Sequence, residues 1–171
     1  FTADHGEEFG EHGYYYHRNR PYDELVHVPL VVRYPTRNEE AVISSQRELL
    51  DIAPTVCEWH DITPPEEFLG KPLFSGEDRQ AITTGSFIEQ SHVVAGRWDG
   101  WKYISVESED TELFNINVDP NELQDVSAEY EGVVQEFEKT IPDSVFSGEP
   151  VTVHTSDEDI QQRLADLGYL E

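Results

Sequence analysis

An acidic side chain and an imidazole stand next to each other close to the start of the chain, at Asp4 and His5. The residues before them are typical of the end of a strand, and a glycine-rich loop with two more histidines, His12 and His17, follows. The loop beyond a buried strand is where α/β folds hold ligands, and a carboxylate with an adjacent imidazole can bind one divalent cation. The sequence therefore predicts a metal-dependent hydrolase.

Short motifs follow one another in order along the chain. The first loop contains Asp4-His-Gly and then Gly10-Glu-His-Gly13. Six further motifs come after it: Tyr22-Asp-Glu-Leu-Val-His-Val-Pro-Leu30, Leu50-Asp-Ile-Ala-Pro-Thr-Val56, Gly70-Lys-Pro-Leu73, Arg97-Trp-Asp-Gly-Trp-Lys-Tyr-Ile104, Glu112-Leu-Phe-Asn-Ile-Asn-Val-Asp-Pro-Asn-Glu122 and Arg163-Leu-Ala-Asp-Leu-Gly-Tyr-Leu170. The ordered series resembles the sulfatase family of the alkaline phosphatase superfamily, with order and spacing kept across nearly all 171 residues.

This resemblance implies a fold and a set of site residues. The expected fold is α/β: the end of an alkaline-phosphatase-like α/β sandwich, followed by a small antiparallel sheet packed with a helix. Asp4 and His5 correspond to the family's metal-ligand pair, and His17 to its Lys or His that contacts a sulfate oxygen or the leaving group. A cationic or hydrogen-donating catalytic group is needed there because negative charge builds on the bridging oxygen as the ester breaks.

The resemblance also implies a cation and a nucleophile. Oxygen ligands suit Ca²⁺ best, Mg²⁺ also fits, and the imidazole keeps Mn²⁺ and Zn²⁺ open. The family's nucleophile is a formylglycine made from Cys, or a Ser, in Cys/Ser-x-Pro-x-Arg, and the present sequence lacks that motif. Cys57 has no Pro and Arg after it, and its apolar helical neighbours predict a small core residue. We therefore expect this chain to be the carboxy-terminal part of a longer protein, with the nucleophile upstream.

Each candidate residue also has a structural interpretation. The Asp-His pair would then be a loop cap and a polar surface histidine. His17 would be a solvent-facing histidine beside Arg18 and Arg20, and we expect these arginines to pair with nearby carboxylates. For His12 a structural role, holding the loop, is the expectation.

Three functions compete at this stage. The first is a sulfatase that cleaves a small-molecule or carbohydrate sulfate ester. The second is a phosphoesterase, phosphonate hydrolase or phosphoglycerol-type transferase of the same superfamily, because the same metal site serves either oxyanion. The third is a non-catalytic fragment that lacks the nucleophile.

Charge and composition indicate the setting. The net charge is −25, with 36 acidic and 11 basic residues, and such self-repulsion is screened at high salt. This favours a halophilic, archaeal source, and it argues against nucleic-acid binding, which needs a basic surface. A single cysteine excludes an internal disulfide, and no segment reaches the ~20 apolar residues of a membrane span. The compartment stays open, with a soluble cytoplasmic protein favoured and any secretion signal upstream.

The patterning divides the chain into three parts: residues 1–75, the end of the α/β catalytic domain with the metal-site loop; residues 76–140, a small antiparallel β subdomain with a helix; and residues 141–171, an acidic linker and a terminal helix. Residues 25–34 predict a buried strand, and residues 46–60 a helix with Asp51 as N-cap. Lys102 is expected to be exposed.

The second part contains four predicted strands and a helix. The strands are expected at 81–88, 92–97, 101–106 and 112–116, with a tight turn at Asp99-Gly100. Apolar residues spaced three and four apart predict an amphipathic helix over residues 127–140 that covers this sheet.

Overall fold

A computed structural model describes residues 1–16, 20–33, 41–76, 80–86, 92–106 and 110–146 of the chain. The candidate His17 and the predicted terminal helix lie outside these residues. No helix in the described ranges is long and apolar enough to cross a bilayer.

The amino-terminal part consists of short elements joined by loops. Strands β1 (Glu8–Phe9) and β2 (Tyr15–Tyr16) form an antiparallel pair around the Gly-Glu-His-Gly turn, and helix α1 (Asp23–Val26) follows. Helix α2 (Ile52–Trp59) comes after a 3₁₀ turn and holds its proline in its first turn, where the missing N–H has no helical partner to lose.

The buried strand predicted over residues 25–34 is wrong. Residues 25 and 26 end helix α1, residues 27–33 form no strand, and residue 34 lies outside the described residues. A buried strand needs neighbours on both sides, but within the described ranges Val31 exchanges backbone hydrogen bonds with Phe1 alone, at 2.8 and 2.7 Å. Its side chain is accordingly exposed.

A four-stranded antiparallel sheet forms the second part, with strands β3 (Ala81–Ser86), β4 (His92–Trp98), β5 (Trp101–Val106) and β6 (Glu112–Asn115) in sequence order. The predicted tight turn between β4 and β5 is confirmed, because Asp99 and Gly100 have φ angles of 52° and 79°. Strand periodicity alone thus located this sheet to within two residues at each described end.

The two faces of the sheet pack against different partners. One face, with Val93, Ala95, Ile104, Val106 and Phe114, packs on Tyr22, which directly precedes α1. On the other face lies the predicted amphipathic helix, α3 (Glu131–Thr140), which begins four residues later than expected and is followed by α4 (Asp143–Phe146). The sheet therefore connects α3 to the amino-terminal part.

The α3 face of the sheet is dominated by aromatic rings. Phe137 of α3 stacks on Trp98 and Tyr103, with ring centroids 3.7 and 5.2 Å apart. Gly96 leaves the space for this stack, since a Cβ there would lie 2.7 Å from Trp98 and 2.8 Å from Phe137.

Candidate functional site

Asp4 and His5, the predicted metal ligands, lie next to each other in an exposed loop. Asp4 Oδ1 accepts a hydrogen bond from the His5 backbone N–H at 3.1 Å, and His5 Nδ1 lies 2.7 Å from the Gly6 carbonyl oxygen. Because a carbonyl only accepts, Nδ1 carries the proton, and the lone pair of the neutral ring is on Nε2. His5 Nε2 lies 3.9 Å from Asp4 Oδ2, within the span of about 4.6 Å that two metal–ligand bonds cover.

Gly6 attaches this loop to helix α1. Its N–H donates to the Leu25 carbonyl at 2.8 Å, and a Cβ at Gly6 would clash with the backbone carbonyl of Glu24. The glycine is therefore required by close approach of two backbones rather than by a left-handed φ. The position of α1 consequently sets the position of Asp4 and His5.

Helix α1 is in turn anchored by buried charges of the sheet. Asp23 Oδ1 accepts from Lys102 Nζ at 3.0 Å, and Asp23 Oδ2 lies 3.3 Å from Arg97 Nη2. The Asp23 backbone N–H donates to Glu122 Oε2 at 2.6 Å. Three chain segments distant in sequence thus meet at the first residue of α1.

The expected exposure of Lys102 is wrong, since its side chain is 1% exposed. Lys102 and Arg97 are direct cross-strand neighbours, so their like charges would repel each other in the absence of an anion. Asp23 supplies that anion. The overlooked signal was strand periodicity, which places Lys102 on the same face as Ile104 and Val106.

Opposite pKa shifts mark this network. Burial would raise the pKa of the Asp23 carboxyl, but Lys102 and Arg97 outweigh it and hold that pKa below its ordinary value. Burial raises the pKa of the Glu122 carboxyl, and the Lys102 ammonium offsets only part of that effect. Asp23 is therefore the better compensated of the two carboxylates.

His12 is held in the loop between β1 and β2. It has a positive φ of 51°, and its ring stacks on Tyr22 with centroids 3.7 Å apart and planes 5° from parallel. His12 Nε2 lies 3.5 Å from Glu24 Oε1. These contacts agree with the expectation that His12 is structural.

Tyr22 and Arg20 converge on Glu112 of strand β6. Arg20 Nη1 donates to Glu112 Oε2 at 2.5 Å, and the Tyr22 hydroxyl lies 3.2 Å from the same oxygen. Burial, followed by the Glu112 charge, raises the pKa of Tyr22 above its ordinary value. The predicted pairing of Arg20 with a carboxylate is confirmed.

Two further sequence interpretations concern helix α2. Asp51 occupies the predicted N-cap position, but its side chain makes no hydrogen bond to the helix; the carboxylate accepts instead from the backbone N–H groups of Glu48 at 3.0 Å and Lys71 at 2.9 Å. Cys57 is half-buried, while the neighbours expected to share its apolar face, Val56 among them, are exposed. The apolar side of α2 therefore faces away from the described core.

The chain is similar in sequence to sulfatases. It is 27% identical over 160 residues to arylsulfatase K from Xenopus laevis, a match that covers 82% of this chain and 30% of that protein. The chain spans about 30% of the length of curated relatives such as this one and arylsulfatase K from Gallus gallus.

Two solved structures share the fold. A protein from Bacteroides thetaiotaomicron, described as a candidate sulfatase, superposes on this chain with a TM-score of 0.75 at 21% identity. The superposition covers 85% of this chain and 35% of the Bacteroides chain. The phosphonate monoester hydrolase of Agrobacterium radiobacter superposes with a TM-score of 0.70 at 22% identity, and the superposition covers 86% of this chain and 34% of the hydrolase. These likenesses confirm the expected fold, the carboxy-terminal portion of an alkaline-phosphatase-like protein.

One family profile covers most of the described region. Residues 10–145 match the family described as N-sulphoglucosamine sulphohydrolase, C-terminal, and they include β2 to β6, α1 to α3 and the buried charge network. The chain belongs to this family of sulfatase carboxy-terminal regions.

Proposed function

We propose that this chain forms the carboxy-terminal part of a sulfatase that hydrolyses a small-molecule or carbohydrate sulfate ester. The observation that carries the proposal is the family match over residues 10–145. Since the chain spans about 30% of the length of its relatives, the activity is proposed for the whole protein. The division of the chain into three parts, with boundaries after residues 75 and 140, stays a prediction.

Asp4 and His5 are the proposed metal ligands. The donor set fits a divalent cation, because Asp4 offers carboxylate oxygens and His5 presents the Nε2 lone pair towards them. Asp4 and His5 would hold Ca²⁺, or Mg²⁺, Mn²⁺ or Zn²⁺, and the chemistry that such an ion would supply is polarisation of the sulfate oxygens. The Gly6 carbonyl, by accepting from Nδ1, holds the imidazole in the required tautomer and orientation.

His17 is the proposed hydrogen-bond donor to the departing oxygen. It follows Asp4 by thirteen residues, the position of the family's Lys or His, and this spacing is what supports the role. The nucleophile, a formylglycine or a serine, is proposed to lie in sequence upstream of Phe1. Cys57, the one cysteine of the chain, sits within helix α2 and lacks the Pro and Arg that follow a sulfatase nucleophile.

A phosphonate or phosphate ester hydrolase is the second candidate. It is favoured by the similar superposition with a phosphonate monoester hydrolase, a likeness that shows the fold alone. An Asp-His metal site can serve either oxyanion, so the two candidates differ in the substrate rather than in the residues described.

Metal-dependent stabilisation tests the proposed site. Thermal unfolding of the protein is measured with and without millimolar Ca²⁺, Mg²⁺ or Mn²⁺. An ion whose free concentration is 100 times its Kd stabilises the folded protein by about 2.7 kcal/mol. Asp4→Asn is expected to abolish the effect of the preferred ion, while the control Asp61→Asn, at another exposed aspartate, leaves it unchanged. Equal stabilisation of both variants would exclude Asp4 as a ligand.

Turnover tests the reaction. The full-length gene product is assayed with an aryl sulfate and with the matched aryl phosphonate monoester. Faster turnover of the sulfate supports the sulfatase, and the reverse order supports the second candidate. His17→Ala is expected to lower turnover far more than it lowers the unfolding temperature; unchanged turnover would remove His17 from the mechanism.

A further inference from the structure

A second group of possible metal ligands lies in the described part of the chain, apart from Asp4 and His5. The side chains of His12, Glu24 and Glu122 each offer one ligand atom, and these atoms lie within 4.8 Å of one another. They come from the β1–β2 loop, from helix α1 and from the turn region after strand β6. The cluster is thus separate in residues from the proposed Asp4–His5 site.

Two carboxylate oxygens in this cluster lack hydrogen-bond donors although they are buried. These are Glu24 Oε1 and Glu122 Oε1. The Glu122 side chain is 0% exposed, and its other oxygen already accepts from the Asp23 backbone N–H. Lys102 Nζ lies 3.4 Å from Glu122 Oε1, but its shorter contact, at 3.0 Å, is its hydrogen bond to Asp23. A buried carboxylate oxygen without a donor is costly, and a cation removes that cost.

The local charges leave a negative excess. Asp23, Glu24 and Glu122 carry three negative charges, whereas Arg97 and Lys102 supply two positive ones. With its three carboxylates ionised, the group carries one uncompensated negative charge. A cation bound between these side chains would restore the balance.

Ligand separation favours the cation. Two ligands of a tetrahedral zinc ion lie about 3.3 Å apart, as follows from bond lengths near 2.0–2.1 Å. His12 Nε2 and Glu24 Oε1 are 3.5 Å apart, and both side chains are mostly buried. The parallel stack on Tyr22 holds the His12 ring in this orientation. Three ligands that include an imidazole suit Zn²⁺ better than Ca²⁺, which takes six or more oxygens.

We propose that His12, Glu24 and Glu122 form a structural site for Zn²⁺ or a similar transition-metal ion. Such an ion would tie the β1–β2 loop and helix α1 to the segment that follows β6. Because helix α1 accepts the hydrogen bond of Gly6 through Leu25, the ion would support the loop that carries Asp4 and His5 without taking part in a reaction. The proposal does not depend on the sulfatase activity.

Cobalt spectroscopy tests the site in the intact protein. Co²⁺ replaces Zn²⁺ in three-ligand sites and gives visible d–d bands that report four-coordinate geometry. The metal-free protein is titrated with Co²⁺ and then with Zn²⁺ as competitor. We expect a band that saturates at one equivalent and is removed by Zn²⁺. The double variant Asp4→Asn/His5→Ala keeps this band, which separates the present proposal from the Asp4–His5 site.

Variants of the ligands should remove the band. In His12→Ala, the Co²⁺ affinity is expected to fall by more than roughly 10-fold, the lower end of what loss of even an outer partner costs. His60→Ala, at an exposed histidine after helix α2, is the matched control and keeps full affinity. Retention of the band in His12→Ala, or its loss only in Asp4→Asn/His5→Ala, would overturn the proposal.

A measurement on the unchanged protein covers the case in which His12→Ala does not fold. The imidazole nitrogen resonances of His12 are followed by NMR during Zn²⁺ titration. We expect the Nε2 resonance to shift with the first equivalent, since this nitrogen faces Glu24. Movement of His5 alone would refute the second site.

Discussion

Replacing Lys102 by Met tests the buried charge network most directly. The Lys102 side chain is 1% exposed and lies between the carboxylates of Asp23 and Glu122. Methionine keeps much of the apolar stem but removes the ammonium group. Removing one partner of a buried ion pair costs about 3–5 kcal/mol because the remaining charge is uncompensated.

The structure places the expected loss near the lower end of that range. Asp23 retains Arg97 at 3.3 Å, so the larger penalty falls on Glu122, whose side chain is 0% exposed. Burial already raises the pKa of Glu122, and loss of the Lys102 ammonium would raise it further. We expect a loss of about 3 kcal/mol, a large part of a typical total of about 5–15 kcal/mol.

Urea unfolding at pH 7, followed by the fluorescence of Trp98 and Trp101, measures this loss. Lys139→Met, at an exposed lysine of α3, is the control and should change stability by no more than about 0.5 kcal/mol. Lys102→Met combined with Glu122→Gln should cost less than the sum of the two single changes, because each removes the other's partner. A loss below about 1 kcal/mol for Lys102→Met, or strict additivity in the double variant, would refute the network.

Three further changes test other contacts of the fold. Gly6→Ala should lower the unfolding free energy by about 2 kcal/mol, because the new methyl meets the Glu24 backbone; Gly132→Ala, which meets nothing within 4 Å, should instead stabilise the protein in the same urea assay. Asp51→Ala should cost about 2–4 kcal/mol in thermal unfolding, since two backbone N–H groups lose a charged acceptor, and a loss below about 0.5 kcal/mol would contradict this role. Burial raises the pKa of Tyr103 above its ordinary value of 10.0. The contribution of Tyr103 to folding stability is therefore complete below its pKa in the unfolded chain and is lost as the pH rises through its pKa in the folded protein. Urea unfolding between about pH 8 and 12 should show that Tyr103→Phe loses less unfolding free energy at alkaline pH than the unchanged protein does.

The sequence predicted the antiparallel sheet better than the amino-terminal part, for a physical reason. Strands β4 and β5 alternate between two apolar faces and are joined by Asp99-Gly100, so local pattern and turn chemistry agree. The predicted strand over residues 25–34 failed because its pairing depends on partners elsewhere, and in the described residues only Phe1 pairs with it.

The candidate site was predictable in its motifs but not in its supporting contacts. Adjacent residues such as Asp4 and His5 are visible in a sequence as a possible ligand pair. The polarity of Lys102 predicts exposure, whereas its register on β5 places it on a buried face opposite Arg97. The hydrogen bond between Glu122 and the Asp23 backbone joins residues 99 positions apart, which no local pattern reveals.

The ordered motifs converge in space at helix α1. Lys102, from the Trp-Lys-Tyr motif, and Glu122, from the Asp-Pro-Asn-Glu motif, both bind Asp23 of the Tyr-Asp-Glu motif. Leu25, two residues on, accepts the hydrogen bond of Gly6 from the Asp-His-Gly motif. Each of these contacts joins two motifs, so a change in one motif would displace the motif that it contacts. This accounts for the presence of the motifs together in one chain, in a fixed order and spacing. The antiparallel sheet thus bears on the Asp4–His5 loop through a continuous set of contacts, although Lys102, its hydrogen-bond donor to the Asp23 carboxylate, lies 79 positions from Asp23 in the sequence.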